Sequence, residues 1–526
     1  MFAGLTHAVR IARMAVTLAR HDALFPLTLL GAPRWIERTL IRLIPPRAAR
    51  GRRPGQRLAA ALQALGPSFI KFGQSLATRS DLIGEDVARD LSELQDKLPP
   101  FAFSHVREII GLELDHPIDE IFESFDHRPV AAASIAQVHF AELKSGEPVA
   151  VKVLRPDIAR AFARDIAFFR WLARRIERFQ PDYRRLKPVE VVETFAHMVT
   201  LEMDLRYEAA AASELAENFA GDARVHIPKI YWTHTGHSVL TLERIEGIAV
   251  DEVERLRASG LDPREVLTTA SSVFFTQVFR DGFFHADLHP GNIFIESDGT
   301  FALVDFGITG RLDRETRYYL ADMLLGFLQR DYRRVAEVHF EAGYIPADQS
   351  IDAFTQACRS IAEPILGLPM NQISVARLLG QLFQITETFE MEAQPQLLLL
   401  QKSMLVAEGI GRRLDPSVNM WELTRPLIED WMRAHRGPEA RLRDAAGEVG
   451  ASVSRLPGLL TDLERAVRDM ISHGIRLHPE TVARLRGADG AKDGRSTHRA
   501  PGGGLTLGLA LGLSAAALLL ALAALF

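Results

Sequence analysis

The stretch His285-Ala286-Asp287-Leu288-His289-Pro290-Gly291-Asn292 is a polar loop between apolar neighbours, Phe283 and Phe284 before it and Ile293 and Phe294 after it. A loop pinned on both sides can hold its side chains in fixed places, as a catalytic loop must. Asp287 can orient a nucleophile or accept its proton. Asn292, in the same loop, offers an amide oxygen to Mg²⁺. A His-rich metal site is the competing reading, but partner ligands are lacking, and His285 reads better as a packed, hydrogen-bonded structural residue.

Further along, Phe301 to Val304 reads as a short apolar strand ending at Asp305-Phe306-Gly307. A carboxylate at a strand end can hold Mg²⁺ against the β- and γ-phosphates. Upstream, Val149, Val151 and Val153 alternate with Ala150 and Lys152, so a strand turns Lys152 to the face opposite the valines. There the amine can act as a point charge on phosphate, although a solvated lysine fits the pattern as well. In Glu202-Met203-Asp204-Leu205-Arg206-Tyr207-Glu208, helical spacing lets Asp204 and Glu208 share a face, whereas Glu202 and Glu208 do not. One of these acids can pair with Lys152; the plain alternative is an exposed charged face. Each island is common by chance. Lys152, Asp287, Asn292 and Asp305 in this order and spacing match the parts of a kinase ATP site. By order alone, Glu243-Arg244-Ile245-Glu246-Gly247 becomes the hinge, with backbone groups at Glu243 and Ile245 facing adenine.

The surrounding chain suits that reading. Its 526 residues are 47% hydrophobic, enough for a large core and more than one domain. A net charge of -5 gives no support for a nucleic-acid partner. A single cysteine, Cys358, excludes internal disulfides and Cys-based metal sites, and reads as a small buried apolar side chain. No fixed-period repeat is visible. Residues 1–54 form a basic helical segment in which Arg10, Arg13 and Arg20 break the apolar run that a signal peptide needs. A membrane-facing amphipathic helix, a solvated basic face and a transit peptide all fit it. Residues 55–117 read as a helical extension, with one helix from Leu58 to Leu76. Residues 118–247 read as a strand-rich small lobe with inserted helices, and 248–440 as a helical large lobe carrying the two loops. Helical pattern from Leu442 to Ile475 and a Gly-rich polar linker fill 441–504. Residues 505–526 carry no charge and are long enough to cross the roughly 30 Å hydrocarbon core as a helix. Lys492, Arg495 and Arg499 before that run would keep the folded part in the cytoplasm. The expected fold is therefore α+β: a bilobal protein-kinase-like fold with an N-terminal helical extension and a C-terminal transmembrane helix.

From about Gly55 to about Ala440 the chain resembles the UbiB family of atypical kinases, which support ubiquinone biosynthesis. Lys71-Phe72-Gly73-Gln74 is similar to the family's Lys-x-Gly-Gln signature, in an extension that folds over the active site. Glu202 and Asp204 match its Glu-x-Asp signature. The resemblance implies that Glu202 pairs with Lys71 and Glu208 with Lys152. Val130, Ala131, Ala132, Ala133, Ser134, Ile135, Ala136, Gln137 and Val138 stand where an ordinary kinase has its glycine-rich phosphate loop. Glycine lets backbone approach phosphate closely, whereas alanine adds Cβ atoms, so this loop should grip nucleotide differently. An alanine-rich stretch is otherwise most simply a helix. Family members often have Gly where this chain has Ala136.

By the same resemblance, ATP and Mg²⁺ are the cofactors, with Asn292 and Asp305 as metal ligands. Lys71, Gln74, Lys152, Glu202, Asp204, Glu208 and Asp287 form the catalytic set. Residues 130–138, Lys152, Glu243 and Ile245 surround the nucleotide. The implied activity is ATP hydrolysis or phosphoryl transfer, with weak or absent protein kinase activity. The implied partners are membrane lipids, polyprenyl quinone intermediates and ubiquinone-biosynthesis proteins, at the cell inner membrane through a single-pass C-terminal anchor. Apolar faces of the extension would suit a homodimer. Two alternatives stand beside this reading. One is a small-molecule phosphotransferase of the aminoglycoside-kinase type, whose loop resembles 285–292. The other is a nucleotide-binding scaffold without catalysis. No motif marks a flavin, haem or non-haem iron site.

Overall fold

The helix expected from Leu58 to Leu76 is two helices, α1 (Pro54–Leu65) and α2 (Pro67–Ala77). Gly66 caps the first with a φ of 115°, a conformation that L side chains rarely adopt. Pro67 opens the second, where its missing N–H leaves no broken helical bond. The computed structural model of the chain describes residues 13–24, 51–77, 98–179, 187–366 and 395–436, with isolated positions between them. The chain divides into two compact units, one running to Leu427 and a second from Ile428 to Thr506. In the second, the described residues end a helix on which Trp431 stacks against His435 at 4.3 Å. All else concerns the first. Leu58, Ala61, Leu62 and Ile70 bury their side chains with Leu18, Ala19, Ala23 and Leu24 of the basic N-terminal segment. The apolar face of residues 18–24 is thus packed on the extension, and Arg10 reaches Asp165 at 2.9 Å.

Strand alternation builds the small lobe. After α3 (Phe103–Glu113) come β1 (Phe122–Phe125), β2 (Ala131–Ala132), β3 (Ala136–Leu143) and β4 (Pro148–Leu154). Helices α4 (Ile158–Phe179), α5 (Pro188–Glu202) and α6 (Leu205–Asn218) follow, then β5 (Val225–His226) and β6 (Val239–Glu243). The sheet runs β1-β3-β4-β6, all antiparallel, with β2 hung on β3. Val149, Val151 and Val153 are buried against Val106 and Ile110 of α3, which leaves Lys152 to the opposite face. The alanine-rich stretch forms a hairpin rather than a helix. Ala131 pairs with Val138 and Ala132 with Gln137, and the Ala133 N–H donates to Ala136 O at 2.8 Å. Sheet pairing overrides the helix propensity of alanine here.

The large lobe contains β7 (Ile248–Ala249), α7 (Pro263–Phe275), β8 (Phe283–His285), β9 (Ile293–Ile295), β10 (Phe301–Leu303) and β11 (Thr309–Arg311). Helices α8 (Arg314–Leu328), α9 (Tyr332–Glu341), α10 (Ile351–Ala362), α11 (Pro395–Leu414) and α12 (Met420–Arg436) follow. Side chains of Asp262, Asp313, Asp331 and Ser350 cap four of these helices by accepting backbone N–H bonds. Strand order is β5-β10-β9-β7 in one sheet, and β11 pairs with β8 in another. The two short sheets hold the loops on either side of Asp287 and Asp305. Cys358 is buried in α10.

The α+β kinase-like architecture stands, but the expected C-terminal transmembrane helix is corrected. Among the described residues no helix is long and apolar enough to cross a membrane. The longest, α4, has 22 residues but carries Arg160, Arg164, Asp165, Arg170, Arg174, Arg175, Glu177 and Arg178 along its length. Next is α11, whose 20 residues include Lys402, Glu408, Arg412 and Arg413. Charges at that density are too costly for a membrane interior. The run 505–526 and the pattern from Leu442 to Ile475 lie outside the described residues. The single-pass anchor at the cell inner membrane is set aside with that helix.

Candidate active site

Strand β4 delivers Lys152 to a point between two carboxylates. Its Nζ lies 2.8 Å from both oxygens of Glu208 and 2.9 Å from Asp305 Oδ1. Glu208 sits in the first turn of α6, which Asp204 caps by accepting the Arg206 N–H at 3.1 Å. Asp305 follows β10 with a φ of 62°, a left-handed conformation that aspartate tolerates better than most residues. The side chains of Lys152 and Glu208 are 12% and 7% exposed, whereas that of Asp305 is 50% exposed. Asp305 is therefore the carboxylate that can still meet a ligand.

Electrostatics divide the roles further. Burial opposes the charge on Lys152, but Asp305 and then Glu208 outweigh it and hold the amine above its ordinary pKa. Burial also opposes the charge on Asp305; Lys152 overcomes it and keeps the carboxyl well below the usual range. At Glu208 burial wins. Aided by the charge of Asp305, it overcomes the pull of Lys152 and raises the acid to about 7.

The polar loop is held by hydrogen bonds to its own neighbours. His285 is buried, and its N–H donates to the Gln277 side chain at 2.8 Å from the π-helical turn Thr276–Asp281. Burial lowers its pKa. Nε2 meets Val304 O at 3.2 Å and Nδ1 accepts the Asp287 N–H at 3.1 Å, which fixes the tautomer with its proton on Nε2. Phe306 packs edge-on against the same ring at 5.5 Å. Asn292 Nδ2 donates to Asp287 O at 3.0 Å, leaving the amide oxygen for a cation. The Asp287 carboxylate itself accepts from Lys402 Nζ of α11 at 2.8 Å.

Lys71 of α2 pairs with Glu202 at 3.0 Å, and its charge contributes to the lowered pKa of Asp305. Phe72 stacks on Phe169 at 4.7 Å and meets Phe195 edge-on at 5.2 Å, docking α2 on α4 and α5. The remaining signature residues bond within their own surroundings. Gln74 donates to Leu94 O at 3.2 Å within the extension, and Asp204 binds Arg206 besides capping α6.

Residues 130–138 divide between cleft and core. Val130 and Ala131 are exposed and Ala132 and Ala133 partly so, whereas Ile135 and Ala136 are buried. Arg155 grips the turn by donating to Ala133 O from Nε at 3.0 Å and Nη2 at 2.8 Å. Among the described residues the buried Ser134 hydroxyl has no hydrogen-bond partner. Val138 sits opposite Lys152 in the sheet. Gln137 faces the core instead, accepting the Phe101 N–H at 3.0 Å and lying 2.9 Å from His139 Nε2. At the hinge, the Glu243 side chain reaches His226 Nε2 and the Lys229 N–H, both at 3.1 Å. Ile245 is partly exposed beside it. Gly247 is required at the hinge, since a Cβ there would lie 2.9 Å from Ile295 O. Among the described residues no group of three His, Cys, Asp or Glu is arranged to hold a metal. A Mg²⁺ that arrives with a nucleotide needs only one or two protein oxygens, and Asp305 with Asn292 fits that need.

Residues 93–339 match the ABC1 atypical kinase-like domain, and residues 358–419 match the UbiB helical domain. Proteins named probable protein kinase UbiB align along most of the chain. That of Marinobacter nauticus is 40% identical over 479 residues, covering 89% of this chain and 87% of its own. That of Pseudomonas entomophila is 42% identical over 473 residues, covering 88% and 86%. The chain belongs to the ABC1/UbiB family of atypical kinase-like proteins. Another UbiB relative, from Azotobacter vinelandii, is 43% identical over 470 residues, covering 88% and 86%. A solved structure of Rv3197 with erythromycin, from Mycobacterium tuberculosis, superposes with a TM-score of 0.49 at 24% identity, over 68% of this chain and 90% of that one. Within the UbiB frame, Lys152, Glu208, Asp287, Asn292 and Asp305 lie in the kinase-like match and Lys402 in the helical match.

Proposed function

We propose that this UbiB-family protein binds Mg-ATP at Lys152, Asp305, Asn292 and the hairpin turn at residues 131–134, and uses it for hydrolysis or phosphoryl transfer in support of ubiquinone biosynthesis. The observation that carries the proposal is Lys152 held at 2.8–2.9 Å by Glu208 and Asp305. Glu208 orients the amine toward phosphate. Asp305 and Asn292 would hold Mg²⁺, which neutralises phosphate charge. Asp287 orients the attacking oxygen. The Ser134 hydroxyl offers a further donor at the hairpin turn.

The Lys71–Glu202 pair beside Asp305 brings the extension to the side where a large acceptor would dock. It favours hydrolysis or a small acceptor over a protein substrate, and polyprenyl quinone intermediates with their processing proteins are the proposed partners. A soluble aminoglycoside-type phosphotransferase would gain nothing from that extension. The test is quinone-intermediate profiling of a deletion strain complemented with wild type or Asp305→Asn. Restored quinone with wild type and accumulated intermediates with Asp305→Asn are expected. Full restoration by the variant would overturn the proposal.

A further inference from the structure

The ion pair between Lys402 and Asp287 is not explained by folding. Lys402 Nζ lies 2.8 Å from Asp287 Oδ1, and the two side chains are 40% and 33% exposed. A partly exposed pair of this kind contributes little to stability. Its amine comes from a different part of the chain, α11, yet meets the carboxylate. Met404 and Ala407 of α11 line an apolar cavity together with Leu288, the residue next to Asp287. The helix and the loop therefore share one packed wall, which keeps the amine at the carboxylate.

Charge placement gives the pair a purpose. Phosphoryl transfer spreads negative charge over the oxygens of the moving group, and fixed cations stabilise it. Lys152 is committed to Glu208 and Asp305 on one side of the site. On the Asp287 side the loop supplies His289, whose Nδ1 accepts the Gly291 N–H at 3.1 Å and so turns to its own backbone. We infer that Lys402 is a further catalytic residue: it holds Asp287 in place and meets the oxygens of the transferring γ-phosphoryl group. The inference rests on the proposed Mg-ATP reading. It makes the helical domain a supplier of active-site chemistry.

The test uses the full chain with Lys402→Met, which keeps side-chain length, and Lys402→Arg, which keeps charge. Lys402→Met should lower kcat for ATP hydrolysis by about tenfold or more while KM for ATP and affinity for Mg-ADP stay within about twofold. Affinity for Mg-ADP with aluminium fluoride, a mimic of the transferring group, should fall in parallel with kcat. Lys402→Arg should recover most of both losses. Wild-type turnover in Lys402→Met would overturn this inference alone. Equal loss of Mg-ADP and aluminium fluoride affinity, unrelieved by Arg, would also overturn it and leave Lys402 a structural residue. A wild-type chain that neither binds nor hydrolyses Mg-ATP would overturn the proposed function and this inference together.

Discussion

Three side chains form one charged cluster, and burial separates them. Lys152 has two carboxylates within 2.9 Å, but only the half-exposed one, Asp305, stays fully charged, while Glu208 is raised to about 7. That division separates two similar groups into a buried acid fixed on the amine and a half-exposed one. Gln137 illustrates the opposite case. Its amide is buried, accepts the Phe101 N–H at 3.0 Å and touches His139. Gln137→Leu should cost about 1–3 kcal/mol of stability by leaving that N–H unpaired. Nucleotide affinity should not change. Urea unfolding and a nucleotide titration read the two effects; a lost affinity at unchanged stability would return Gln137 to the phosphate site. The strand under Lys152 and the loops that carry Asp287, Asn292 and Asp305 were legible because each pattern is local. Lys402 carries no such signal. It is one lysine on a helix, 115 residues from Asp287, and only tertiary packing brings the two together.

At the scale of elements, short-range chemistry decides the boundaries. Gly66 and Pro67 split a helical pattern that is otherwise continuous from Leu58 to Leu76. Asp204 splits another, ending α5 and capping α6, so that Glu202 faces Lys71 while Glu208 faces Lys152. Spacing alone assigned Asp204 and Glu208 to one face, because it assumed an unbroken helix. A second feature ties elements of the two lobes. His226 of β5 lies 3.1 Å from Glu243 at the end of β6 and 2.7 Å from Glu296 after β9. Burial opposes its charge, but hydrogen bonds to Glu296 and Glu243 outweigh it and raise its pKa. Asp298 also feels its charge. A histidine raised in the folded state stabilises fully below its unfolded pKa of about 6.5 and loses that contribution as pH rises through the folded value. The melting temperature should therefore fall from pH 6 to pH 9 more steeply in wild type than in His226→Gln, as followed by circular dichroism. Equal slopes would remove the contribution of His226 to this tie.

The molecule as a whole assembles one site from distant stretches: an extension helix, a small-lobe strand, two large-lobe loops and α11. Family-level order was legible because phosphoryl transfer needs the same charged groups in the same sequence along the chain. What lies outside that order was not. The basic N-terminal segment suited a membrane, a solvent face or a transit peptide, and its Leu18, Ala19, Ala23 and Leu24 are buried in the extension's core. The apolar run at 505–526 suggested an anchor, whereas no described helix can cross a membrane. The central claim is that Lys152, Asp287, Asn292 and Asp305 serve a single metal-bound nucleotide. Calorimetric titration of the full chain with ATP, with and without Mg²⁺, tests it most directly. Wild type should bind ATP in a Mg²⁺-dependent manner, and Asp305→Asn should lose about tenfold or more of that affinity, roughly 1.4 kcal/mol. Mg²⁺-dependent binding of equal strength in Asp305→Asn would contradict the account.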